Sequence, residues 1–136
     1  MIDLHCHSLF SDGTDSPETL AHLADEADLR ALALTDHDTV AGLPRFLAAQ
    51  PGTRARLVPG IELSCRFLGS ELHVIGLFVD PWDTRFLARV EDLSLRRADR
   101  NRRMLAQLAS IGIPLAWGEV RALASPDLVS RAHFAK

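Results

Sequence analysis

The stretch Ala31-Leu32-Ala33-Leu34, running straight into Thr35-Asp36-His37-Asp38, constrains the fold more than any other part of the chain. Four consecutive apolar residues leave no polar face for solvent. They read as a strand buried on both sides, the pattern of parallel sheets covered by helices. The polar residues at its C-terminal end fit the same picture, because loops leaving the C-terminal ends of parallel strands converge on one face and carry the chemistry.

The flanking sequence supplies the remaining elements. Ile2-Asp3-Leu4-His5 reads as a short opening strand. Ser16-Pro17-Glu18 offers an N-cap, a proline at the first helical position and an acid in the first turn. The helix that follows, from about 17 to 28, carries Leu20, Leu23, Ala24 and Ala27 on one expected apolar stripe. A second helix spans 42 to 49. Leu57-Val58 and Ile61-Glu62-Leu63 surround Pro59-Gly60, where a strand starts or bends. Residues 72 to 79 are expected to pair with 61 to 67 across Leu68-Gly69-Ser70. Strand, helix, strand, helix, strand over the first 80 residues defines an α/β layout with a mainly parallel sheet. After Pro81 the texture changes to a long helix from about 83 to 110, carrying Leu93, Met104, Leu105, Leu108 and Ala109 and ended by Gly112 and Pro114. Two short helices, 119 to 124 and 125 to 135, complete the reading.

Composition narrows the function. With 136 residues, 47% hydrophobic and 24% charged, the chain should fold as one unit. A net charge of -3 is too balanced for a general binder of duplex nucleic acid or membrane surfaces. The charge is unevenly placed, however. Residues 1 to 50 hold nine acids against two bases, and residues 85 to 103 hold seven arginines against three acids. Cys6 and Cys65 are too few for a disulfide framework, no apolar run reaches the roughly 18 residues of a membrane span, and the N-terminus lacks a basic leader. The expected setting is the cytoplasm.

Five of the six histidines, His5, His7, His37, His73 and His133, fall at expected strand ends or loop starts, and only His22 sits on a helix face. His5 and His7, at i and i+2, project to one side of a strand and can share an ion. Asp12, before Gly13, lies in a loop able to fold back on that strand end; His37 closes the second strand, Glu62 the third, and His73 lies in the fourth. Taken singly, each has an ordinary explanation: a turn, a helix cap, a surface or core position. Taken together they form a set of imidazoles and carboxylates suited to two or three divalent ions.

These residues also carry a resemblance. Asp3-Leu4-His5-Cys6-His7-Ser8, Ser11-Asp12-Gly13-Thr14, Leu34-Thr35-Asp36-His37-Asp38-Thr39, Pro59-Gly60-Ile61-Glu62-Leu63-Ser64 and His73-Val74-Ile75-Gly76-Leu77 together resemble the PHP (polymerase and histidinol phosphatase) family of metal-dependent phosphoesterases. The stand-alone branch, with nucleoside 3′,5′-bisphosphate phosphatases and a 5′-3′ exoribonuclease activity, is the nearest in flavour. The resemblance implies a distorted (β/α)7 barrel, with residues 1 to 80 as its N-terminal part, 81 to 125 as a helical insert and 126 to 136 returning to the barrel.

It further implies that His5 and His7 bind one ion and Asp12 and His37 another, that Glu62 bridges two, and that His73 binds the ion His5 and His7 do not. The ions are Mn, Zn or Fe. Ser130-Arg131-Ala132-His133 resembles the family's Gly-Arg-Pro-His block, with Ser and Ala replacing Gly and Pro, which makes His133 a further ligand candidate. The family's late Asp-x-His pair is not reached before Lys136, so the chain is expected to be a fragment or a truncated relative, about half of a barrel of ~250 residues.

The implied reaction is hydrolysis of a phosphate ester by metal-activated water on a small phosphorylated substrate or short oligonucleotide. Asp36 and Asp38 are candidates for orienting His37 or the water. Arg97, Arg100, Arg103 and Arg131 are candidate phosphate clamps, the first three alternatively forming a solvated helix face paired with Asp99. Histidinol-phosphatase-type phosphomonoesterase activity is an alternative, as is a non-catalytic metal-binding fragment. A polymerase proofreading exonuclease is disfavoured because no polymerase region follows.

Overall fold

The computed structural model describes residues 1–124, 129 and 131–135; of Arg131 and Ala132 it describes the backbone and not the side chains. Four strands form a sheet in the order β1 (Ile2–Cys6), β2 (Ala31–Leu34), β3 (Arg56–Phe67) and β4 (Ser70–Leu77). β1, β2 and β3 run parallel, and β3 and β4 form an antiparallel hairpin. β2 is central, and the expectation from its apolar run holds: Leu32, Ala33 and Leu34 are all buried.

Pro59-Gly60 marks the point at which β3 changes partners. Pro59 is the last residue paired with β2, opposite Leu34, and Gly60 is the first paired with β4, opposite Leu77. The strand continues through this pair. A Cβ on Gly60 would come within 2.7 Å of the Thr35 methyl and 3.0 Å of the Gly76 carbonyl oxygen, so only glycine lets the two neighbours approach. The hairpin turns at Leu68 and Gly69, both at positive φ (49° and 84°), as a two-residue connection matched to strand twist demands.

Helix α1 (Pro17–Glu26) begins at Ser16, whose hydroxyl accepts the Thr19 N–H at 3.1 Å. It ends two residues earlier than the periodicity suggests, and Asp28 then takes a left-handed conformation (φ 50°). Its buried stripe is Pro17, Ala21 and Ala24 with Leu20 alongside, rather than the expected Leu20, Leu23, Ala24 and Ala27; Leu23 is exposed. Alanines let the helix lie close against the sheet, and that approach turns Leu23 outward. Helix α2 (Leu43–Ala48) contributes Leu43 and Phe46 to the same core as Leu32, Leu34, Leu57 and Ile61. Burying each of these larger side chains contributes about 1.5–3 kcal/mol before conformational entropy is charged against it.

Helix α3 (Thr84–Ser110) starts at Asp83, whose carboxylate accepts the Arg85 and Phe86 N–H groups. Its fully buried residues are Val90, Arg97 and Asn101, whereas Leu93, Met104, Leu105 and Leu108 are half-buried and Ala109 is exposed. Two of its three buried anchors are therefore polar. Helices α4 (Trp117–Ala122) and α5 (Arg131–Phe134) follow. Residues 125–128 and 130 of the second short helix read from the sequence lie outside the described residues. Among the described residues, no helix is long and apolar enough to cross a membrane.

Candidate metal centre

Backbone contacts bring the ends of β1, β2 and β3 to one place. Thr35 donates its N–H and its hydroxyl to the Cys6 carbonyl oxygen at 2.9 and 3.2 Å, which clamps the end of β1 to the end of β2. Beyond β2, the Asp38 N–H donates to the Glu62 carbonyl (2.9 Å) and the Glu62 N–H to the Asp36 carbonyl (3.2 Å), so His37 and Glu62 stand side by side. The loop after β1 curls back because the Ser11 and Gly13 N–H groups both donate to the Ser8 carbonyl. A Cβ on Gly13 would lie 2.2 Å from the His7 carbonyl oxygen, so glycine is obligatory for a curl that returns Asp12 to His7. On β4, His73 stands opposite Ser64 and reaches diagonally to Glu62.

The resulting side-chain geometry is tight. His5 Nε2, His7 Nε2 and Glu62 Oε2 form a triangle with sides of 2.9, 3.0 and 3.1 Å. His7 Nδ1 lies 3.4 Å from Asp12 Oδ1, and His37 Nε2 lies 3.6 Å from Asp12 Oδ2. His73 Nδ1 meets the other Glu62 oxygen, Oε1, at 2.6 Å, and His37 Nδ1 lies 3.4 Å from Oε2. Three overlapping groups could each hold an ion: His5, His7 and Glu62; His7, Asp12 and His37; His37, Glu62 and His73. All six residues singled out as strand-end ligand candidates within the first 80 positions fall in these groups.

The donor set fits a metal. Ligand atoms about 2.0–2.2 Å from a shared ion sit roughly 2.8–3.6 Å apart, from octahedral to tetrahedral geometry, a range that includes the His5–His7–Glu62 triangle. His37 Nδ1 is buried with no hydrogen-bond partner, an arrangement that costs free energy unless its lone pair meets a cation. Burial also pulls the His37 imidazole below its ordinary pKa, with His7 and Arg97 adding to the effect against the opposing pull of Asp12 and Glu62, so the ring favours its neutral, ligating form. Burial acts to raise the Glu62 carboxyl, but hydrogen bonds with His5 and His73 outweigh it and hold the group below the usual carboxylate range. The site thus presents neutral imidazole and anionic carboxylate together.

Residues 3–111 match the PHP domain family. The chain belongs to the PHP family. It is 40% identical over 98% of its length to a 5′-3′ exoribonuclease Rnm from Salmonella typhimurium, covering 46% of that protein. It is 36% identical over 99% of its length to a 3′,5′-nucleoside bisphosphate phosphatase from Chromobacterium violaceum, covering 48% of it. A solved structure from Bifidobacterium adolescentis, described as a metal-dependent phosphoesterase, superposes with a TM-score of 0.86 at 30% identity, over 98% of this chain and 48% of that one. The chain spans about half the length of the relatives it matches.

Within this PHP chain the other candidates are placed differently. Asp36 and Asp38 make no hydrogen bond to His37. The buried Asp36 carboxylate accepts from the Ser8 N–H, the Ser8 hydroxyl and the Ser11 hydroxyl. Asp38, at φ 49°, accepts from the Ser64 N–H and pairs with the Arg97 guanidinium. Both carboxylates are engaged elsewhere, Asp36 by the loop after β1 and Asp38 by β3 and α3.

Arg97 is buried and engaged with Asp38 and Ser64, which corrects its reading as a solvated helix position; Arg103 does pair with Asp99, at 3.1 Å. Arg97, Arg100 and Arg103 all line one cleft of about 560 Å³ with Arg66, Arg96 and Glu71. That cleft adjoins the histidine cluster through Glu71, whose carboxylate lies 3.6 Å from His73 Nε2. His133 is buried on α5 and belongs to none of the three ligand groups. The Arg131 side chain and Ser130 lie outside the described residues. Sequence reasoning passed over Ser8 and Ser11, whose signal was only their place in a curled loop between two ligand candidates.

Proposed function

We propose that this chain is the metal-binding part of a hydrolase that cleaves a phosphate ester of a nucleoside 3′,5′-bisphosphate or of the 5′ end of a short RNA. The observation that carries the reading is the convergence of His5, His7, Asp12, His37, Glu62 and His73 into three overlapping groups, with the names of the relatives in support. Two or three divalent ions, Mn, Zn or Fe by the chemistry of imidazole and carboxylate, would polarise the phosphoryl group and make a water nucleophilic near neutral pH.

In this reading His5, His7 and Glu62 would hold one ion, Asp12 and His37 another, and His73 would join Glu62 at the ion that His5 and His7 do not bind. Glu62 bridges because its two oxygens face different histidines. Arg100 and Arg103 bind a second phosphate from the neighbouring cleft, guanidinium being suited to bidentate phosphate contact. Arg97, the third clamp candidate, lines the same cleft with its guanidinium engaged by Asp38 and Ser64. Arg131 and His133 join the site on the strength of the 130–133 resemblance. The four strands form the N-terminal part of a distorted (β/α)7 barrel with the helices after residue 80 as its insert, working in the cytoplasm; the expected return to the barrel over 126–136 falls largely outside the described residues.

Elemental analysis of metal content, run beside phosphate release from a 3′,5′-bisphosphate, p-nitrophenyl phosphate and 5′-phosphorylated oligoribonucleotides, tests the proposal. Two or three ions with turnover on the bisphosphate or the RNA support it. A His5→Ala variant that keeps full metal loading and full activity would overturn the site. Metal bound without phosphate release would instead support the alternative of a metal-binding segment without turnover of its own.

A further inference from the structure

We propose that Ser11 and Asp36 form a positioning pair that fixes the tautomer of His7, holding the proton on Nδ1 so that Nε2 presents a lone pair to the cluster. The inference rests on the metal-site reading above and concerns two residues that touch no ion themselves. Asp36 is buried, and its carboxylate offers only acceptor oxygens. The Ser11 hydroxyl has one proton to give, and Asp36 Oδ1 at 2.6 Å takes it; the rival acceptor, Asp12 Oδ1, is 3.4 Å away.

With that proton committed, Ser11 Oγ turns lone pairs toward His7 Nδ1, 3.3 Å away. The other oxygen facing Nδ1 is Asp12 Oδ1, at 3.4 Å, also an acceptor. Ser11 Oγ can then only accept at Nδ1, which favours the hydrogen there, while the opposing acceptor at Nε2, Glu62 Oε2 at 3.1 Å, already bonds His5 Nε2 at 2.9 Å. A neutral imidazole has only one such hydrogen, so Nε2 is left bare, 3.0 Å from His5 Nε2 and 3.1 Å from Glu62 Oε2. Ser8 completes the arrangement. Its hydroxyl accepts the Phe10 N–H and donates to Asp36 Oδ2, which holds the carboxylate in the orientation Ser11 needs. Asp36 therefore acts on His7 through Ser11, on the β1 side of the site.

Long-range 1H–15N correlation spectra of the full chain without metal, at pH 8, report which ring nitrogen of His7 is protonated, with His7→Gln identifying its signals. The expected result is Nδ1–H in the wild type. In Ser11→Ala, which leaves Asp12 as the sole acceptor at Nδ1, the share of Nε2–H should rise and zinc affinity should fall ~10–100-fold. Ser11→Thr keeps the hydroxyl and should restore both. Wild-type His7 protonated on Nε2 overturns the proposal whatever the variants do, and so does a folded Ser11→Ala with wild-type tautomer and zinc affinity. A wild type that binds no zinc refutes the metal-site reading instead, while its metal-free spectrum still decides the tautomer.

Discussion

Glu62 serves the cluster with both carboxylate oxygens, Oε2 toward His5 and His7 and Oε1 toward His73, whereas His5 belongs to one ligand group and is half exposed. Replacing Glu62 with Gln turns one acceptor into a donor aimed at an imidazole, so it disturbs two groups at once. Elemental analysis should show Glu62→Gln losing more bound metal than His5→Ala, with affinity falling at least ~10–100-fold. Equal losses in the two variants would show that Glu62 does not bridge. These positions were legible in the sequence because each stands in a compact signature: His-x-His after a strand, Asp-Gly in a loop, Asp-His-Asp ending an apolar run. The contacts of Ser11 and Arg97 were not legible. Their partners, Asp36 and Asp38, lie 25 and 59 positions away, and nothing local to a serine or an arginine announces a distant carboxylate.

At the level of elements, α3 is held to the sheet by an ion pair as much as by apolar packing. Arg97 and Asp38 are both nearly inaccessible, so removing one partner strands a buried charge at a cost of about 3–5 kcal/mol. Arg97→Ala should lower stability by that order, and amide hydrogen exchange should quicken across residues 84–110 more than across β2. The periodicity of α3 correctly gave a long helix but misplaced its contacts, because the count of apolar residues takes no account of a polar anchor.

A second tie joins α1 to the entry of β3. The Asp25 carboxylate accepts the Arg54 and Ala55 N–H groups at 2.9–3.0 Å, and these bonds hold its pKa below the ordinary 3.8. The unfolded chain therefore takes up the proton more readily than the folded one. The stabilisation from Asp25 is complete above about pH 4 and is lost as pH falls through the lowered folded value. Asp25→Asn should be less stable than the wild type at pH 7, with the gap closing toward pH 2 in denaturant titrations. A gap independent of pH would contradict this origin.

Considered whole, the molecule gathers imidazoles, two carboxylates and one unpartnered ring nitrogen at one end of its sheet, a set that a cation would satisfy. Saturating zinc or manganese at about 100 times its dissociation constant should add about 2.7 kcal/mol to stability, or roughly 10 °C in Tm, and a chelator should reverse the gain in a thermal melt. A Tm indifferent to both metals would argue against a native site. The α/β class and the β3–β4 hairpin could be read from hydrophobic patterning and turn residues, whereas the order of the strands in the sheet was not legible. The rotation of α1 could not, since Leu23 and Ala21 compete for the same stripe and only close packing against the sheet decides between them.

His5 and Glu62, 57 positions apart and 2.9 Å from contact, also set a timetable. No part of the chain can offer the full cluster until β1, β2 and β3 are aligned, and closing so long a loop is entropically costly before it is rewarded. Metal should therefore be captured after the folding barrier is crossed. Ions added in stopped-flow experiments should slow unfolding while leaving the refolding rate nearly unchanged.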